Sequence, residues 1–173
     1  MKISHTGYAE EQAAARSWNE GRKPLLQPSS LYLVTPQELE ELRLALARGH
    51  VPLDFQAKLN SLAGSDLTRA MVEQNCRLFI ALLMAAHSGM FGPANPQACD
   101  RLLRVLAYVR KDDDAIPDYK PNGFADDLRE VRAAAAEFSH LLHTFKDWRL
   151  CHQVPTMWNA KAGATEDWAA QAA

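Results

Sequence analysis

The stretch Ser65–His87, with the sequence SDLTRAMVEQNCRLFIALLMAAH, decides the fold class. Its apolar residues recur at helical spacing, but they cover more than one face of the helix. A helix that is apolar on most sides needs neighbours all around it. The pattern therefore predicts the central helix of a bundle, capped by Ser65. The apolar residues form two stripes: Leu67, Met71, Leu78 and Leu82, and Val72, Phe79, Leu83 and Ala86.

The apolar part of this stretch is too short to span a membrane. The longest uninterrupted apolar run is Leu78–Ala86. At 1.5 Å per residue it covers about 14 Å, whereas the hydrocarbon core of a bilayer is about 30 Å thick. We therefore expect a buried helix segment.

Helix-start and helix-stop signals flank the central stretch. The sequence TPQE from Thr35 to Glu38 is typical of a capping box with proline at the first helical position, and Gly49 ends that helix. A second helix is predicted over 53–62, and a further one over 96–110 after a loop rich in glycine and proline.

A heptad pattern predicts one long final helix over about 124–151. The partner of this apolar seam is either another helix of the same domain or a second subunit. We favour the same domain, because its other helices also need a packing partner. The seam residues are Phe124, Leu128, Val131, Ala135, Phe138, Leu142 and Phe145.

These patterns predict an all-α protein, a single helical bundle-like domain of about five main helices. An Asp-rich turn precedes the last long helix. A length of 173 residues fits one domain. We expect residues 1–34 to form a helix and loop packed on the domain, residues 35–152 to form the helical domain, and residues 153–173 to form a C-terminal tail.

Composition excludes several functional classes. The chain has 19 basic and 21 acidic residues, which argues against nucleic acid as a partner. Its three cysteines lack Cys-x-x-Cys spacing, so neither a disulfide framework nor a thiolate zinc site is expected. Residues 1–10 have no apolar core typical of a secretory signal. The expected localisation is cytoplasmic.

The segment between the last two predicted helices contains six aspartates within sixteen residues, Asp112 to Asp127. Carboxylate oxygens are preferred ligands of hard divalent cations. Two prolines stiffen the backbone around Asp118, and Gly123 allows a sharp turn. A metal site would use four of these side chains: Asp114, Asp118, Asp126 and Asp127.

A second interpretation explains the same aspartates without a metal. Asp126 and Asp127 would lie in the first turn of a helix, where negative charge offsets the helix dipole. Asp114 and Asp118 would accept hydrogen bonds within turns. EF-hand spacing is absent, because an isoleucine and a proline occupy positions that need an oxygen ligand and a glycine.

The basic residues and histidines near the aspartates indicate a functional site less strongly than the aspartates do. Four basic residues beside the aspartates, Arg101, Arg104, Arg110 and Lys111, are expected to offset their charge. Glu137 and His140 have the Glu-x-x-His spacing of di-iron bundles, but no second copy occurs. On a helical wheel they lie opposite the seam, facing solvent or a partner. If zinc bound there, His140 and His143 would be its ligands, with a third from elsewhere.

Part of the chain resembles the YkvA-like family of small helical proteins of uncharacterised function. The residues that carry the resemblance lie within about 102–145: Ala107-Tyr108, Asp114-Ala115-Ile116-Pro117-Asp118, Pro121, Gly123 and Asp126-Asp127. The resemblance implies an all-helical fold with a structured acidic turn, and it implies no reaction. Members often have an apolar linker here and are thought to associate with membranes. Tyr119, Lys120 and Asn122 make this linker polar, which argues against membrane association.

We therefore expect a non-enzymatic helical accessory or interaction protein, with a protein partner or self-association. Two alternatives stay open. One is an enzyme or sensor that binds a divalent metal through the Asp-rich turn. The other is an obligate homodimer through the last helix. No cofactor is expected, and the ligand that the aspartates suit is a divalent cation.

Overall fold

The structure is a computed structural model that describes residues 30–152. Over this range it contains six α-helices and one short 3-10 helix. Within this range no strand occurs, so the prediction of an all-α bundle in one domain is confirmed. Residues 1–29 and 153–173, where a short helix, a loop and a tail were predicted, lie outside the described residues. The 3-10 helix is Ser30–Leu33, and the α-helices are α1 Pro36–Ala47, α2 Leu53–Leu62, α3 Leu67–His87, α4 Pro96–Arg110, α5 Ala125–Glu137 and α6 Ser139–Cys151.

Helix α3 is the centre of the bundle, as its two apolar stripes predict. It contacts each of the other five α-helices. Its buried residues include Val72, Phe79 and Leu83, all with no exposed surface, and the fully buried thiol of Cys76 packs among them. No helix in the described range is both long enough and apolar enough to cross a lipid bilayer.

The ends of the helices mostly follow their local signals. Thr35 and Glu38 form the reciprocal capping box, and Gly49 has a φ of 77° just beyond α1. The predicted cap of α3 was wrong by one residue. Asp66, not Ser65, accepts the backbone N–H of Arg69, at 3.0 Å. Both residue types are good N-caps, so the sequence pattern does not distinguish them.

The long final helix predicted over 124–151 is two helices, with a break at Phe138. Backbone hydrogen bonds continue on both sides of the break, from Phe138 to Ala134 and from Leu142 to Phe138. Helix α6 packs against the loop after α3 as well as against α3 itself. Phe145 packs edge-on against Phe91, which lies in the loop after α3, and the two ring centroids are 5.0 Å apart. A heptad pattern describes one straight seam and contains no information about this contact.

The basic residues at the end of α4 pair away from the aspartates that follow them, so the expectation that they offset those aspartates was wrong. Arg110 forms ion pairs with Asp54 and Glu41, at 2.6 and 2.8 Å. Lys111 pairs with Glu38 at 2.9 Å. The other two basic residues of the group pair with carboxylates of α4 and α5.

Truncation of single leucine side chains on the central helix should destabilise the protein at buried positions and not at exposed ones. Leu83 has no exposed surface, so Leu83→Ala should lower the free energy of unfolding by about 2–5 kcal/mol because it leaves a cavity. The matched control is Leu67→Ala on the same helix, where the side chain is 77% exposed. Its effect should stay within about 0.5 kcal/mol. Urea unfolding followed by circular dichroism measures both, and equal losses would contradict a central position for α3.

Candidate cation site

The loop after α4 folds back on itself through consecutive turns. The N–H of Asp118 donates to the carbonyl of Asp112 at 3.1 Å, and that of Gly123 donates to the carbonyl of Lys120 at 3.0 Å. Asn122 adopts a φ of 61°, which a short polar side chain tolerates. Because the turns follow one another directly, the start of α5 lies against the beginning of the loop.

Gly123 is where the loop crosses itself. A Cβ atom at this position would lie 2.6–2.7 Å from the backbone O, C and Cα of Asp118. Rigid backbone cannot yield as a flexible side chain would. A glycine here therefore permits the close approach that places the two ends of the loop together.

A buried tyrosine joins α4, the loop and α5. The hydroxyl of Tyr108, which has no exposed surface, donates to Oδ2 of Asp126 at 2.5 Å. The same carboxylate oxygen accepts the N–H of Ile116 at 3.0 Å, and the N–H of Ala115 donates to the tyrosine oxygen at 3.3 Å. These bonds fix the orientation of Asp126 at the first turn of α5.

Three of the four predicted aspartates converge at this point. One carboxylate oxygen from each of Asp114, Asp126 and Asp127 lies within 4.8 Å of the other two. Asp126 is 2% exposed, and Asp127 has no exposed surface. Within the described residues, neither of the two carboxylate oxygens of Asp127 accepts a hydrogen bond. Oδ1 of Asp126 accepts none either.

Burial makes ionisation unfavourable at two of these carboxyls. It raises the pKa of Asp127 to about 9, and the carboxylates of the neighbouring aspartates raise it too, whereas Lys58 lowers it. Burial also raises the pKa of Asp114 to about 6, helped by the charges of Asp126 and Asp118.

The fourth predicted aspartate, Asp118, pairs with a lysine from α2. Nζ of Lys58 lies 2.5 Å from Oδ2 of Asp118 and 3.3 Å from Oδ1 of Asp112, and it also donates to the carbonyl of Lys111. Burial raises the pKa of Asp118, and the bond from Lys58 opposes that shift. Asp118 therefore borders the triad while its charge is matched by Lys58.

The interpretation of the aspartates as caps and turn residues accounts for only part of the arrangement. Asp126 and Asp127 do lie in the first turn of α5, and Asp112 and Asp113 are exposed. However, the N-cap of α5 is Phe124, which makes no side-chain capping bond. The helix dipole stabilises a charge at a helix start by about 0.3–2 kcal/mol. This is less than the cost of burying an unpaired carboxylate, so the dipole does not explain why Asp127 is fully buried.

The histidines lie apart from this cluster. His140 and His143 are exposed, and Nδ1 of His143 is 2.8 Å from the carbonyl of Ser139 within α6. In the described part of the chain, neither belongs to a group of three metal-ligating side chains. Glu137 is also exposed and pairs with Arg101 at 3.4 Å.

Sequence reasoning missed Lys58 as a site residue. It lies more than fifty positions before the aspartates, and no local pattern connects a single lysine on an amphipathic helix to that loop. Tyr108 was part of the family resemblance, but only the structure shows its bond to Asp126. The useful signal is a lone tyrosine on the buried face of the helix before an acidic turn.

Comparison with known proteins adds no relative. No family model, no curated protein and no solved structure matches the chain. The resemblance to the YkvA-like family therefore stays an expectation that rests on the quoted motif alone.

Substitution of Gly123 should open the loop. Gly123→Ala places a methyl group within 2.7 Å of the Asp118 backbone, so it should cost more than about 1 kcal/mol and separate the two ends of the loop. Gly92→Ala is the matched control, because nothing lies within 4 Å of its added Cβ. Thermal unfolding should show a lower Tm for Gly123→Ala alone, and equal Tm values for both variants would contradict the close crossing.

Removal of the ionisable group at Asp127 should stabilise the metal-free protein. Asp127→Asn leaves an isosteric amide that does not ionise. In EDTA at pH 8 it should raise the free energy of unfolding by at least about 1 kcal/mol, because the folded wild type must keep a proton on Asp127 that the unfolded chain has lost. The gain has a defined pH dependence. The folded state raises the pKa of this carboxyl from 3.8 to about 9, so between those values the unfolded chain loses a proton that the folded state keeps, and the wild type becomes less stable as pH rises.

The difference in Tm between Asp127→Asn and wild type should therefore shrink as pH falls from 8 towards 4. Asp113→Asn in the same loop is the control, since Asp113 is exposed and its substitution should change Tm little at any pH. A lower Tm for Asp127→Asn throughout this range would show that the carboxylate makes a stabilising contact without a metal.

Proposed function

We propose that this chain binds a divalent metal cation through Asp114, Asp126 and Asp127. The observation that carries the proposal is Asp127, a carboxylate with no exposed surface, no hydrogen-bond partner within the described residues and two neighbouring carboxylates. A buried carboxyl without a partner either keeps its proton or coordinates a metal. A cation among these oxygens would offset the charge of all three.

The ligand set indicates the class of ion. All three ligand atoms are carboxylate oxygens, which suit Ca²⁺, Mn²⁺ and Mg²⁺ rather than softer metals. Calcium–oxygen distances of about 2.3–2.6 Å allow two ligands of one ion to lie up to about 5 Å apart. The 4.8 Å limit on the spacing here fits that range. Mg²⁺ binds oxygen ligands at about 2.0–2.1 Å and gives up its water ligands reluctantly, so we expect it to bind this site more weakly than Ca²⁺ or Mn²⁺.

The proposed ion has a structural role in a helical accessory protein. It would join the loop after α4 to the first turn of α5, which the Tyr108–Asp126 hydrogen bond already holds together. The residues that carry the resemblance to the YkvA-like family include Tyr108, Gly123 and the three proposed ligands.

The homodimer alternative has less support from the structure. Phe124, Val131, Leu142 and Phe145 of the apolar seam are at most 8% exposed within a single chain. A second copy would therefore find little of that seam available. Self-association through another surface stays a prediction.

Thermal unfolding of the full-length chain tests the proposal. An ion that binds only the folded state should add about 2.7 kcal/mol at one hundred times its Kd, which raises Tm by several degrees. We expect this shift with Ca²⁺ or Mn²⁺ relative to EDTA in wild type and in Asp113→Asn, and its loss in Asp127→Asn. Since Asp127→Asn should be the more stable protein in EDTA, lost binding cannot be attributed to unfolding.

Isothermal titration provides an independent measurement. Ca²⁺, Mn²⁺ and Mg²⁺ are titrated separately into protein stripped with EDTA and dialysed. One ion per chain with wild type and no heat with Asp127→Asn would agree with the proposal. An absence of both heat and Tm shift for every ion would overturn it and leave the aspartates with a role in the turn only.

A further inference from the structure

Lys58 is the cation that contacts the aspartates of the loop in the described part of the chain. Its ammonium uses all three donors, on Asp118, Asp112 and the carbonyl of Lys111. The other basic residues nearby are directed elsewhere: Lys111 towards Glu38, and Arg69 over the Phe124 ring, 5.0 Å from its centroid. Within the described residues, Lys58 therefore supplies the positive charge that pairs with the aspartates of the loop.

The fold holds the side chain of Lys58 in place, away from solvent. Its side chain is 9% exposed, and its ammonium lies 5.7 Å from the centroid of the Phe124 ring. Helix α2, which carries it, packs against both α3 and α4. An ammonium held in this way stays near the triad whether or not a metal is present.

The charge of Lys58 lies close to the proposed ligands. Its ammonium lies over the ring of Phe124, the N-cap residue of the helix whose first turn carries Asp126 and Asp127, and within the described residues it forms no ion pair with Asp114 or Asp127. A divalent cation at the triad would interact with the same carboxylates and would be repelled by the ammonium. This repulsion is stronger in a buried site than in water, because the effective dielectric constant is lower.

We infer that Lys58 is the affinity-determining residue of the cation site, because it competes with the metal for the charge of the aspartates and withholds Asp118 from it. This inference rests on the proposed function. Asp118 has one oxygen on Lys58, and its buried Oδ1 accepts no hydrogen bond within the described residues. With the lysine in place, Asp118 stays on Lys58 and outside the group of three converging carboxylates. Without the lysine, Asp118 would be free to turn towards the ion as a fourth carboxylate.

Titration of Ca²⁺ and Mn²⁺ into lysine variants tests the inference. Lys58→Met keeps the apolar stem and removes the charge, and it should tighten the Kd at least about tenfold. It should also lower Tm in EDTA, because the aspartates lose their counter-charge. The matched control is Lys120→Met, which removes the same charge from an exposed position of the same loop and should change Kd less than about threefold.

A double-mutant cycle tests the role assigned to Asp118. With Lys58 present, Asp118→Asn should change Kd less than about threefold. In the Lys58→Met background, the same substitution should remove most of the gain in affinity. If Lys58→Met does not fold without metal, Lys58→Gln, which retains hydrogen-bond donors, takes its place in both measurements.

The outcomes separate this inference from the proposed function. If wild type binds no ion, and Lys58→Met binds none, both fail. If wild type binds an ion and neither Lys58→Met nor Lys58→Gln tightens the Kd, the inference alone is overturned, and the lysine only completes the folded structure. A weaker Kd in these variants would overturn it too, because Lys58 would then be orienting the ligands.

Discussion

The hydrogen bond from the buried Tyr108 hydroxyl to Asp126 is the interaction on which the rest of the site depends. It connects the end of α4 to the start of α5, and the N–H groups of Ala115 and Ile116 join the same pair of oxygens. Asp127 is the next residue in the first turn of α5, so fixing Asp126 also fixes the carboxylate that follows it. A loop that was free to move would let these charges separate and reach water.

The site keeps several acidic side chains together at a cost in stability, and the surrounding fold offsets only part of it. Lys58 pairs with Asp118 and Asp112, whereas Asp127 receives no direct contact from it. An apolar or amide side chain would fill the position of Asp127 at lower cost. The proposed cation would make use of a carboxylate at this position.

Features decided by neighbouring residues could be predicted from the sequence, and features decided by distant contacts could not. The capping box at Thr35, the ends of α4 and the central position of α3 follow from local spacing. The sequence also identified the three aspartates of the triad. It did not indicate Lys58, and the pairing of Arg110 with α1 and α2 depends on tertiary packing. The break at Phe138 was missed because a heptad pattern continues across it.

The complete burial of Cys76 provides a chemical reporter at the centre of the molecule. The thiolate is the reactive form of cysteine, and burial raises the pKa of this thiol, as does the charge of Asp127. A thiol reagent reaches Cys76 only when the helices around α3 separate, whereas Cys151 is exposed in the native state. Labelling at Cys151 therefore follows the intrinsic reactivity of a surface thiol, and labelling at Cys76 follows how often the core opens.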